Sequence, residues 1–162
     1  MNQEQHPLNL GKLLVNFQSL EFVLRAFLWE SEKDKDKDKD KEPKLYELKK
    51  GDIVTENAFT NYDSLNSLIN KYNRNPKISS TGLNIDKTIT DIRDAIAHGR
   101  VSGKSPMPPQ NLLKFGKPKN NYVRVILSVQ LSKEWFNEQL ARSQNAVLTV
   151  AKALKMLQQG KL

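Results

Sequence analysis

Apolar residues recur every three or four positions over residues 8–30, where Leu10, Leu13, Leu14, Phe17, Leu20, Leu24, Phe27 and Leu28 share a face. That spacing predicts a long amphipathic helix. The segment 31–44, SEKDKDKDKDKEPK, has nothing apolar to bury. Its lysine–aspartate alternation puts like charges four residues apart, so a mobile surface loop is expected rather than an ion-paired helix. Residues 45–58 read ambiguously around a turn at Lys50–Asp52. A second helix is predicted over 61–73, with Leu65, Leu68, Ile69 and Tyr72 inward and Asn61 or Asp63 as N-cap. Pro76 and the residues up to Gly82 should end it. A third helix, 84–98, has Ile85, Ile89, Ile92 and Ile96 as its stripe, Asn84 as N-cap and Gly99 at the C-terminal glycine position. Pro106, Pro108 and Pro109 then demand a loop. Strict alternation at Val123, Val125, Leu127, Val129 and Leu131 predicts a β-hairpin over 111–132, turning at GKPKNN. A final helix should span 133–158, with Trp135 and Phe136 as packing residues. The pattern predicts an all-α fold in one domain, 1–162: a four- or five-helix up-and-down bundle with a small β-hairpin insertion before the last helix.

Composition narrows the chemistry. The chain has no cysteine and only two histidines, His6 and His98, far apart in sequence. Thiolate chemistry is thus excluded, no histidine-rich metal cluster is expected, and a metal hydrolase is disfavoured. No glycine pattern suggests a phosphate-cradling loop, so no cofactor is expected. The longest apolar-rich stretch, 13–29, is interrupted by Asn16, Gln18, Glu21 and Arg25, and no leader pattern opens the chain. A soluble, cytoplasmic protein without a membrane contact is the expectation. The net charge of +8 is unevenly placed: residues 100–162 hold eleven basic side chains against only Glu134 and Glu138. A concentrated positive field favours a polyanion or an acidic protein as partner.

The stretch DIRDAIAHGR, 91–100, holds the candidate site. In a helix, Arg93 and His98 lie about 140° and roughly 7.5 Å apart, within reach of one pocket for a long arginine. Asp94 and His98 share a face, so the carboxylate could orient the imidazole, and the helix C-terminus favours its protonated form. These features suit acid–base chemistry near neutrality. They equally describe a helix end at which a histidine simply complements the dipole.

The residues Arg93-Asp94-Ala95-Ile96-Ala97-His98-Gly99 resemble the signature of the HEPN superfamily: an arginine, a polar residue, and a histidine four to six positions after the arginine on a bundle helix. The resemblance covers about seven residues; over the rest of the chain only the helical pattern agrees, and the charged loop and hairpin are departures. It implies a metal-independent endoribonuclease, usually a homodimer whose motif helices meet, among toxins, antiphage and RNA-processing factors, with a protein antitoxin as a further partner. On this reading Arg93, Asp94 and His98 are catalytic: His98 shares the acid–base work, Arg93 binds the scissile phosphate and Asp94 orients His98 or Arg93. Glu21, a charge on the apolar stripe of the first helix, should either pair with Arg93 or Arg25 behind the site or reach solvent. Arg100, Lys104, Lys114, Lys117, Lys119 and Arg124 are candidate RNA contacts, or else an ordinary solvated basic surface. His6, in a polar tail before Pro7, should be solvated. The competing function is a non-catalytic module of the same fold that binds RNA, a nucleotide or a protein.

Overall fold

A computed structural model describes residues 5–32, 45–103 and 110–162. The lysine–aspartate run from Lys33, the proline-rich loop and Lys104 lie outside these described residues. Among the described residues 58% are helical, in five helices and a short 3₁₀ turn, beside a small three-stranded antiparallel sheet. The helices are α1 (Gln5–Glu32), α2 (Leu65–Arg74), α3 (Pro76–Ser79), α4 (Ile89–His98) and α5 (Lys133–Gln158), and a 3₁₀ turn covers Leu45–Glu47. The strands are β1 (Arg100–Ser102), β2 (Asn111–Phe115) and β3 (Val125–Gln130), paired in the order β1-β2-β3. The chain divides into two compact units, Met1–Ser19 with Asp86–Val147 and Leu20–Ile85 with Leu148–Leu162.

In the first unit Leu13, Phe17, Ile89, Ala95, Leu112, Leu131, Phe136 and Ala146 are buried, and Asn16 donates to the hydroxyl of the buried Ser143 at 2.9 Å. Ser132 accepts from the Trp135 N–H and so caps α5. The N-cap position of α4 is Thr88, without a side-chain capping bond, and not Asn84; Asp86 braces the turn before it. One Asp86 oxygen accepts from the Thr88 N–H and the other from the Thr88 hydroxyl and from Arg142 of α5 at 2.9 Å. These hydrogen bonds, first those from the Thr88 hydroxyl and N–H, hold the Asp86 carboxyl below its usual value. The helix therefore begins four residues later than an N-cap at Asn84 would have it.

Gly99 follows α4 with φ −76° and ψ 178°, which is extended backbone, not a left-handed cap. The glycine is required for a different reason. A Cβ here would lie 2.8 Å from both the Leu113 carbonyl and a Leu112 methyl, and closer still to the Ala95 carbonyl. Helix therefore passes into strand β1 with no room for a side chain. Opposite β1, Arg100 faces Leu113, Val101 faces Leu112 and Ser102 faces Asn111. This third strand was hidden in the sequence because three residues are too few to show alternation. β2 and β3 pair antiparallel, with a bulge between Lys114 and Phe115.

In the second unit Leu20, Leu24, Phe27, Leu68, Ile69, Tyr72, Ile78 and Val150 are buried. Phe27 and Tyr72 meet edge to face at 4.9 Å, and the Tyr72 hydroxyl donates to the Leu83 carbonyl. Burial pushes that phenol up to about 12. The N-cap of α2 is Ser64, which accepts from the Ser67 N–H, and not Asn61 or Asp63. Asn75 ends α2 and caps α3, with Pro76 at the first position of the new turn. The proline that ends one helix thus opens another, because its missing N–H costs nothing there.

His6 also departs from the sequence reading. It lies in the first turn of α1, its ring edge-on to Phe136 at 5.5 Å, and its buried Nε2 has no hydrogen-bond partner. Burial lowers its pKa from the usual 6.5. Below pH 6.5 the unfolded chain takes up a proton at His6 that the folded chain resists, so stability falls with acidification from there. Urea unfolding at neutral pH and at pH 5.5 should show a larger loss for the wild type than for His6→Phe, which keeps the ring contact. A second pair of variants checks the α4–β1 junction. Gly99→Ala should cost about 2 kcal/mol or more through the backbone clash. Gly11→Ala, at an open position on α1, should gain about 0.5–1 kcal/mol in the same unfolding assay.

Candidate functional site

The buried residues Ile89, Ile92 and Ala95 turn one face of α4 into the first unit. The helical period then leaves Arg93, Asp94, Ala97 and His98 on its outer side. Arg93 Nη1 donates to Asp94 Oδ1 at 3.2 Å, and Lys114 Nζ on β2 lies 3.8 Å from Asp94 Oδ2. One carboxylate therefore sits between two cations, leaving a net positive cluster. The Arg93 and Asp94 side chains are 41% and 46% exposed. An exposed pair of this kind is worth about 0–1 kcal/mol, so an incoming anion can displace Asp94 from Arg93 at little cost.

His98 is exposed at the end of α4 and makes no hydrogen bond among the described residues. Of the two roles the sequence allows Asp94, its contacts match the orientation of Arg93, not of the imidazole. Arg100, the next charged residue, lays its guanidinium over the Phe115 ring at 5.3 Å across the sheet. Lys117, Lys119 and Arg124 are exposed in the outer part of the β2–β3 hairpin. Among the described residues no three histidines, cysteines, aspartates or glutamates converge on a point fit for a metal ion. No helix among them is long and apolar enough to cross a membrane.

Compared with known protein families, with curated proteins and with solved structures, the chain matches none of them.

Glu21 belongs to the second unit, where it accepts from Arg25 Nε and Nη2 at 3.2 and 2.8 Å. Arg25 is the buried partner, 11% exposed against 37% for Glu21. Its guanidinium also donates to the carbonyls of Ala58, Asn61 and Asp63 and to the Asn61 side chain. The sequence named Arg25 only as a possible partner of Glu21. Its larger role, tying the 58–63 loop to α1, depends on carbonyl groups that no sequence pattern reveals. A cavity of about 210 Å³ opens beside this loop, lined by Glu32, Glu56, Asn57, Asn61, Asp63 and Lys71 among others. Within it Lys71 Nζ bonds Asp63 at 2.6 Å and holds that carboxyl below its usual value.

Arg25 and Glu21 are thereby structural. Arg25→Met strands three carbonyls and should destabilise by about 3 kcal/mol in chemical denaturation. Arg25→Lys should recover only part of that, since one ammonium cannot reach the same fan of acceptors.

Proposed function

We propose that this protein is a HEPN-type, metal-independent endoribonuclease that works as a homodimer. The observation that carries the reading is the division of labour at the end of α4. Asp94 spends its carboxylate on Arg93 and Lys114, while His98 is exposed and has no hydrogen-bond partner among the described residues. A histidine with both ring nitrogens free can exchange protons with a substrate, and a guanidinium held in place by a weak pair can receive a phosphate in exchange.

The reaction asks for more than one chain supplies. A base takes the proton from a 2′-hydroxyl, whose oxygen attacks the adjacent phosphorus. As the P–O5′ bond breaks, an acid delivers a proton to the departing 5′-oxygen. The products are a 2′,3′-cyclic phosphate and a 5′-hydroxyl. Two copies related by a two-fold axis would bring two His98 imidazoles, one for each proton, and two Arg93 guanidiniums to the charge that builds on phosphorus. Asp94 positions Arg93, and Lys114 adds to the field. The same resemblance extends to an up-and-down arrangement of the helices, a cytoplasmic setting and a protein antitoxin as partner.

The test is cleavage of a mixed pool of single-stranded and structured RNA in EDTA. The wild type should cut and leave cyclic phosphates. His98→Ala and Arg93→Ala should each lose about a hundredfold or more in rate, with unfolding curves unchanged. A wild type that dimerises and binds RNA without cutting it would favour the non-catalytic module. Cutting that survives in His98→Ala would place the chemistry elsewhere.

A further inference from the structure

From Asp94 to Glu134 the chain contains no acidic residue, yet it holds Arg100, Lys104, Lys114, Lys117, Lys119, Arg124 and Lys133. Lys114 is answered by Asp94. Lys117, Lys119 and Arg124, all exposed, have no carboxylate partner among the described residues. These three lie in the outer part of the hairpin, and that part is built to hold its shape. Lys119 and Tyr122 exchange both backbone hydrogen bonds, at 2.8 and 3.0 Å. Asn120 and Asn121 between them take φ of 51° and 63°, the left-handed pair of a type I′ turn. Further down, the Gly116 N–H donates to the Arg124 carbonyl at 2.8 Å.

Tyr122 sits at this tip and is 80% exposed. As a directly paired cross-strand neighbour, Lys119 shares its face of the ribbon, with Cβ atoms about 5 Å apart. A single exposed aromatic needs no explanation by itself. Here the ring is set on a preformed turn, in a stretch free of acidic residues, beside cations with no carboxylate partner among the described residues. Little ordering entropy remains to be lost when something stacks on it.

We propose that the outer part of the β2–β3 hairpin is a binding arm for single-stranded RNA, with Tyr122 as a base-stacking platform and Lys117, Lys119 and Arg124 as its phosphate contacts. Flat rings beside regularly spaced charges match a strand whose bases are unstacked. A duplex hides its base faces inside its own stack and leaves Tyr122 nothing to cover. An acidic protein would satisfy the cations and leave the ring unused. The choice of RNA over DNA rests on the ribonuclease reading; the preference for an open strand does not.

The experiment is fluorescence anisotropy with a short 2′-O-methyl RNA strand, which lacks the attacking hydroxyl, alongside the matching DNA strand and the RNA duplex. The wild type should bind the single strand more tightly than the duplex, and the RNA strand at least as tightly as the DNA. Tyr122→Ala should weaken single-strand binding about tenfold, and Tyr122→Phe should restore it. Replacing Lys117, Lys119 and Arg124 together by glutamine should lower the salt slope of log affinity by about 2. Unchanged affinity in Tyr122→Ala, equal or tighter binding of the duplex, or displacement by polyglutamate as easily as by unlabelled RNA would overturn the arm. A clear preference for DNA would overturn the choice of RNA. The two readings fail separately. Tyr122-dependent binding by a protein that never cuts unmodified RNA rejects the nuclease and keeps the arm. Cutting with no effect of Tyr122→Ala on affinity rejects the arm and keeps the nuclease.

Discussion

At Gly99 a helix becomes a strand without a loop between them, against the Ala95 and Leu113 carbonyls and a Leu112 methyl that leave no space for one more carbon. Close packing of this kind tolerates little adjustment, because interiors are as dense as organic crystals. The end of α4 is thus fixed to the β1–β2 ladder, and the placement of the candidate site follows from it. His98 precedes the junction and Arg100 follows it. Lys114, two residues beyond the buried Leu112, comes within reach of Asp94. Without the tight junction, the helix end and the basic sheet would be joined only by a flexible turn.

Electrostatics then divides this unit into two zones. At Asp94 and Asp86 cations meet carboxylates: Arg93 and Lys114 share the first, and Arg142 pairs with the second. Beyond Lys114 the hairpin projects cations that no carboxylate among the described residues answers. A polyanion that reaches Arg93 from this side passes from uncompensated to weakly compensated charge. The proposed cleavage site and the proposed strand-binding arm are consistent with that gradient, which would draw the substrate in before chemistry begins.

The long elements were legible because periodicity needs length. α5 runs from Lys133 to Gln158, over the range its apolar spacing predicts, and α1 extends the predicted helix by about a turn at its start. Helix ends were less legible, since several side chains competed to cap them. Ser64 displaced Asn61 and Asp63, and α4 starts after Thr88 instead of Asn84, where Asp86 holds Thr88 and the distant Arg142. Gly99 was correctly singled out but for the wrong reason, because a sequence shows the absence of a side chain and not what would collide with it. His6 looked solvated beside Pro7, and only the fold brings Phe136 to its ring. Arg93, Asp94 and His98 were singled out by their spacing on one helix together with the family resemblance. That Asp94 would hold Arg93 and Lys114 instead of His98 depended on a strand twenty residues away.

The central claim is that one active site draws a histidine from each of two chains. It is tested most directly by exchanging inactive His98→Ala subunits into wild-type dimers at a fixed total concentration and following RNA cleavage. If both imidazoles are needed, activity should fall as the square of the wild-type fraction, to about one quarter at equal mixing. A linear fall, to about one half, would mean that each chain carries a complete site and would contradict the account.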